Sequence, residues 1–278
     1  MDKNLIQRLI TGSIFVTVLV GGIIWNQWSY GILFLFIITA GLLEFYRLSE
    51  KAGATPQKIL GLTAGIAFFA GTFGIYATSK NLLILIVLSF LLLFVSFITE
   101  LYRQSKHPFQ NIAFTVLGIL YVAVPFSLWN FTLFELPEPP LGEWRYKGNI
   151  LLGFFIILWT SDSLQYVCGR LFGRHKLFER ISPKKTWEGF IGGALFTMLA
   201  AWFAGQYFTE LRPVQWMIIA GIVAVAGTLG DLVESMFKRS IDIKDSGNIL
   251  PGHGGILDRF DAVLISSPFV ISYILLSR

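Results

Sequence analysis

The sequence predicts an all-α, polytopic integral membrane protein of about nine transmembrane helices with a cytoplasmic N-terminus, and three observations carry that prediction. Of 278 residues, 54% are hydrophobic and only 14% are charged, against roughly 25% charged in a soluble domain. The mean hydropathy is +0.66. Apolar runs of the roughly 17 to 25 residues that a helix needs to cross the hydrocarbon core recur along the whole chain. Short pieces rich in Gly, Pro and charge separate them.

Taken in order, the runs place spans near 9–27, 28–46, 59–78, 81–99, 111–129, 149–168, 188–208, 214–230 and 260–277. The first follows Lys3 and Arg8 and resembles a secretory leader, but no small-residue cleavage site follows and a second span comes at once. It reads as a retained helix. Between the spans lie segments such as Lys51 to Pro56, Tyr102 to Pro108 and Leu136 to Gly142, too short to hold a soluble domain. A cytoplasmic N-terminus puts seventeen of the 22 Lys and Arg residues on the inner side, as the positive-inside bias requires. The polar loops 169–187 and 231–259 then share the cytoplasmic face of the cell (inner) membrane.

Composition also excludes. A single cysteine, Cys168, leaves no intrachain disulfide and no multi-thiolate zinc site, and reads as a small packing residue. The net charge of +5 is scattered among connections rather than gathered on one surface, so no nucleic-acid partner is indicated. No P-loop, nucleophile elbow or His-Glu-x-x-His sequence is present. The absence of a repeat or of inverted symmetry between the halves weighs against a transporter. Three regions follow: 1–110, N-terminal helices acting as scaffold and lipid contact; 111–168, middle helices; and 169–278, a catalytic region with the polar loops.

The chemistry concentrates near the end. Six of the seventeen acids fall between Asp231 and Asp261, interleaved with Lys238, Arg239, Lys244 and Arg259. Asp231, Glu234 and Lys238 share one face if the eighth helix continues past the membrane, and Asp258 and Asp261 repeat the offset of three. Two carboxylate pairs suit hard divalent cations, which take oxygen ligands and are completed by substrate phosphates. Between the pairs, Gly252, Gly254 and Gly255 allow backbone N–H groups to approach a phosphate, or simply make a tight turn. His253 reads either as a turn residue or as a contact to phosphate or leaving group.

In the other loop, Ser182, Lys184 and Lys185 stand in the order Ser-Pro-Lys-Lys-Thr-Trp-Glu. Ser182 before Pro183 predicts a capped helix start, an anion site, whereas positive-inside bias alone accounts for scattered basic residues. Asp162, near the cytoplasmic end of the sixth span, points to substrate or metal contact more than to a structural hydrogen bond. Glu44 and Glu100, at predicted span ends, read as interfacial anchors.

The run from Ser235 to Asp261, with Lys238, Arg239, Lys244, Asp245 and Leu250 to Asp261 in register, resembles the signature of bacterial phosphatidate cytidylyltransferases, the CDP-diacylglycerol synthases. Ile181 to Gly189 resembles a second family motif, and the likeness is good from about Leu158 onwards. One departure lies after Asp162, where Ser163, Leu164 and Gln165 replace a small residue and an aromatic pair. The resemblance implies CTP and phosphatidate as substrates, CDP-diacylglycerol and pyrophosphate as products, magnesium dependence and a homodimer; the carboxylate pairs leave room for a second divalent or monovalent cation. It further implies Asp231 and Asp258 as principal metal ligands, with Asp261 as a further ligand or a support behind them. A CTP-using lipid kinase makes similar demands on metal and phosphate and is the nearest rival; an ion-coupled transporter is the rival from another class.

Overall fold

The structure is a computed structural model. It describes the chain apart from residues 1, 2, 79, 136–143, 248, 250, 251, 253 and 278 and the side chains of residues 3–6 and 8. Every apolar run of the sequence is a helix: α1 Lys3–Trp25, α2 Gln27–Lys51, α3 Lys58–Ala77, α4 Leu83–Arg103, α5 Pro108–Phe131, α6 Asn149–Phe172, α7 Trp187–Ala204, α8 Pro213–Ser240 and α9 Leu257–Leu276. Eight of these, α2 to α9, are long and apolar enough to cross a membrane, and α1 carries a shorter apolar stretch, Leu9–Trp25. Among the described residues the β structure is confined to two short hairpins. One pairs β1 Phe134–Glu135 with β2 Arg145–Tyr146, the other β3 Lys176–Phe178 with β4 Ser182–Thr186.

Local chemistry sets the boundaries. Asn26 alone separates α1 from α2: its side chain accepts from the N–H groups of Trp28 (2.8 Å) and Ser29 (3.0 Å), and so caps the second helix. Gln104, in the left-handed conformation at φ 49°, stops α4. Two helices contain a π turn, Ile119–Ala123 in α5 and Val223–Gly227 in α8, the second ending four residues before Asp231.

The chain forms two compact units, residues 1–147 with 240–259, and residues 148–239 with 260–278. The first is built on α2, α3 and α5. Tyr30, Phe34, Phe69, Phe126 and Trp129 are fully buried there, and the Tyr30 hydroxyl donates to Asn130, which donates to Thr72. A buried polar group needs such partners, since leaving one unmade costs about 1–3 kcal/mol. The second unit packs α6, α7, α8 and the greater part of α9 around Phe154, Phe155, Trp216 and Phe260. There the Trp216 indole N–H is satisfied by the Phe208 carbonyl at 2.9 Å.

Two expectations are corrected by this packing. Glu44 and Glu100 are not interfacial anchors: they are 1% and 3% exposed, and each gathers hydrogen bonds that a headgroup-facing acid would leave to water. Glu100 accepts from Gln57 (2.6 Å), Ser105 (2.7 Å), Asn111 (2.7 Å) and Arg103 (2.9 Å), tying the α2–α3 connection and the start of α5 to the end of α4. Ser182 is not a helix cap. Pro183 stands in β4 of a two-stranded ribbon, where its missing N–H is tolerated. The helix starts five residues later, capped by Thr186, whose hydroxyl accepts from Gly189 N–H at 3.2 Å.

Candidate active site

In the second unit, three helices and the β3–β4 hairpin bring charged side chains together. α8 runs without a break through Asp231, Glu234 and Lys238 to Ser240, as the sequence pattern requires. Gly230 fixes where it meets α9, because a Cβ there would stand 2.6 Å from the Asp261 carbonyl oxygen and 3.2 Å from the Ala262 Cα. Only a residue without a side chain permits this approach, and it places Asp231 beside Asp261. Asp162, from α6, is near enough to interact electrostatically with both.

Acids within electrostatic reach of one another repel when charged unless cations intervene. Lys185 of β4 forms an ion pair with Asp231, and Lys238 lies within electrostatic reach of Asp261. Lys238 is mostly buried and is also ion-paired with Glu234 one turn earlier on α8. The hairpin that carries Lys185 is held by Glu188, which accepts from the N–H groups of Arg174 (3.0 Å) and His175 (3.2 Å) and from the His175 ring. Lys184, next on the strand, is exposed, and Ser182 is half-buried. Under the acids runs a polar ladder: Thr228 donates to Gln165 at 2.9 Å, and Gln165 donates to Ser161 at 2.9 Å.

The first unit holds the other part of the motif. Asp258, in the first turn of α9, accepts through one oxygen from the N–H of Gly255 (2.8 Å) and from the N–H (2.9 Å) and hydroxyl (3.0 Å) of Ser246. The Gly255 N–H is therefore engaged by protein. Gly252 and Gly254 adopt φ of 78° and 85°, left-handed values that explain glycine there without a ligand. Lys244 and Arg259 are exposed, as is Arg239 at the end of the second unit's stretch of α8. His253 lies outside the described residues. Glu44 of α2, which no sequence pattern connects with this loop, accepts from the N–H groups of Ile256 and Leu257, both at 3.0 Å, and from the Ser246 hydroxyl at 3.2 Å.

Among the described residues no group of three or more Asp, Glu, His or Cys side chains forms a ready-made metal cage. The donor chemistry nevertheless suits a hard divalent ion: carboxylate oxygens only, crowded in the second unit. Magnesium in particular takes one or two protein carboxylates and leaves its other positions to water and substrate phosphates.

The family model described as the cytidylyltransferase family matches residues 6–277. The chain belongs to that family. It is accordingly a nucleotidyltransferase, and with its apolar helices a multi-pass membrane enzyme. Among its relatives, the phosphatidate cytidylyltransferase of Staphylococcus saprophyticus is 35% identical over 274 residues, covering 97% of both chains. That of Staphylococcus haemolyticus is 34% identical over 223 residues, 79% of both chains. That of Staphylococcus aureus strain COL is 39% identical over 189 residues, 67% of this chain and 66% of the relative.

Proposed function

We propose that the protein is a phosphatidate cytidylyltransferase, converting CTP and phosphatidate to CDP-diacylglycerol and pyrophosphate. The observation that carries this reading is the similarity to the Staphylococcus saprophyticus enzyme of that name, which runs the length of both chains. The geometry supports it: nucleotide and lipid phosphates are polyanions, and crowded carboxylates with lysines beside them are what a cation-assisted phosphate site requires.

In this reaction an anionic oxygen of the lipid phosphate attacks the α-phosphorus of CTP in line with the departing pyrophosphate. One P–O bond forms, another breaks, and no proton has to be removed from the nucleophile. The barrier is therefore one of bringing anions together and of stabilising charge on the transferring group. Lys185, Lys184 and Ser182 on the hairpin hold nucleotide or lipid phosphate, with Lys238, Arg239, Lys244 and Arg259 as further phosphate contacts. The glycine-rich turn, Gly252, Gly254 and Gly255 with His253, borders the leaving group.

Asp231 and Asp258 would be the principal holders of a divalent metal, magnesium in our reading, with Asp261 as a further or supporting carboxylate, and a second divalent or monovalent cation could accompany it. When bound, the metal supplies positive charge to the phosphate oxygens. The three donors to one oxygen of Asp258 orient that carboxylate, as partners of metal ligands commonly do. The polar loops face the cytoplasm, where CTP is dissolved, and the enzyme works as a homodimer in the cell (inner) membrane. The C-terminal region, 169–278, carries the chemistry and the earlier helices serve as support.

Detergent-purified protein given CTP, magnesium and phosphatidate should yield CDP-diacylglycerol with one pyrophosphate per lipid, identified by mass spectrometry. Formation of CDP and a newly phosphorylated lipid alcohol overturns this reading in favour of a lipid kinase.

A further inference from the structure

Residues 1–110, which the sequence predicts to serve as scaffold and lipid contact, contribute a buried acid to the signature loop. α9 opens at Leu257, and the preceding residue, Ile256, has no side-chain acceptor to cap the exposed N–H groups of a helix start. Glu44 of α2 supplies the acceptors instead, binding the Ile256 and Leu257 N–H groups through its two oxygens. An anion at this end of a helix is also favoured by the helix dipole.

The same carboxylate reaches the other end of the loop. Its Oε2 accepts from the Ser246 hydroxyl, which also stands 3.0 Å from Asp258. Ser246 has one hydroxyl proton for two carboxylates, so Glu44 and Asp258 are tied through it. Two glycines of the signature pack against this acid, and Gly255 also against the Ser246 hydroxyl. A Cβ on Gly247 would stand 2.6 Å from Glu44 Oε1, and one on Gly255 would stand 2.5 Å from Glu44 Oε2. Neither distance is open to a real side chain.

We infer that Glu44 is a positioning residue for cytidylyl transfer. It clamps Ser246, Gly255 and the first turn of α9, and so sets the orientation in which Asp258 and the glycine-rich turn meet substrate. The inference rests on the reading of the protein as a cytidylyltransferase for its turnover readout, and not for its structural one.

The test compares Glu44→Gln with Glu100→Gln, a second buried acid of the same unit that does not touch the loop. The amide keeps the shape of the side chain but turns an NH2 group toward at least one donor. Glu44→Gln should lower kcat for pyrophosphate release by about 10- to 100-fold, the scale of a small misplacement of reacting groups, with the KM for CTP unchanged within about threefold. By hydrogen–deuterium exchange, the Ile256 and Leu257 amides should exchange at least about tenfold faster than in the wild type. Gly247→Ala, which leaves the carboxylate intact but crowds it, should move both readouts the same way. Wild-type kcat in Glu44→Gln, or an equal kcat loss at unchanged KM in folded Glu100→Gln, overturns the inference. Should the wild type itself transfer no cytidylyl group, the functional reading fails, and the exchange arm still decides the clamp: unchanged exchange in Glu44→Gln refutes it, faster exchange upholds it.

Discussion

Three buried or loop acids of the first unit and three acids of the second are treated differently. Glu44, Glu100 and Asp258 are met by N–H and O–H donors, three or four to each carboxylate. Asp231 and Asp261 accept from the Ser235 hydroxyl (3.3 Å) and the Ala262 N–H (2.7 Å), respectively, and with Asp162 they lie within electrostatic reach of one another, with Lys185 and Lys238 as the cations nearby. A carboxylate whose acceptor capacity is filled by fixed donors is content as it stands and holds structure. Carboxylates crowded together are costly alone and are relieved by a mobile cation. The contrast separates acids held by fixed donors from acids set near other acids and lysines.

The largest effect that can break this comparison is at Asp231. Asp231→Asn removes one charge from the crowded set and should cut turnover by about 10³-fold or more, on the scale of losing a principal electrostatic element, while the protein stays folded. Wild-type turnover in that variant removes the cluster from the chemistry. Asp258 belongs to both classes, donor-filled like Glu44 yet one turn from Asp261. Asp258→Asn retains an oxygen for its three donors, so folding should be largely intact while most of the turnover, about 10²-fold, is lost. A fully active variant takes Asp258 out of the ligand set.

Lys185→Ala should raise the KM for CTP and lower kcat/KM by about 10- to 100-fold, since a phosphate contact and the counter-charge of Asp231 vanish together. An unchanged KM assigns the lysine to Asp231 alone. Smallest in turnover and largest in stability is Glu100→Gln: donors to a buried carboxylate lose a partner, at about 1–3 kcal/mol, visible as a lower midpoint of thermal unfolding with kcat per folded molecule maintained. A collapse of kcat at full stability would blur the division between the two kinds of acid.

Among the described residues, helices α1 to α9 were legible because each apolar run is a local property of the chain, and the continuation of α8 through Lys238 followed from the spacing of Asp231, Glu234 and Lys238. The β3–β4 hairpin was not. Ser182-Pro183 matches a helix start as well as an edge strand, and the choice is made by pairing with Lys176–Phe178. The juxtaposition of Asp231 with Asp261 depends on Gly230, a glycine that looks unremarkable in an apolar run. Glu44 was misread for a related reason: an acid near a span end has the same local signature whether it faces headgroups or caps a helix more than two hundred residues away.

The measurement that most directly tests the division is the magnesium dependence of pyrophosphate release in Asp231→Asn and Glu44→Gln, at saturating CTP and phosphatidate. The account predicts that Asp231→Asn needs at least about tenfold more magnesium for half-maximal rate, the scale of losing one metal-site interaction, whereas Glu44→Gln lowers the maximal rate with the magnesium requirement unchanged. A shifted requirement in Glu44→Gln together with an unshifted one in Asp231→Asn would contradict it, placing the cation among the acids we assign to structure.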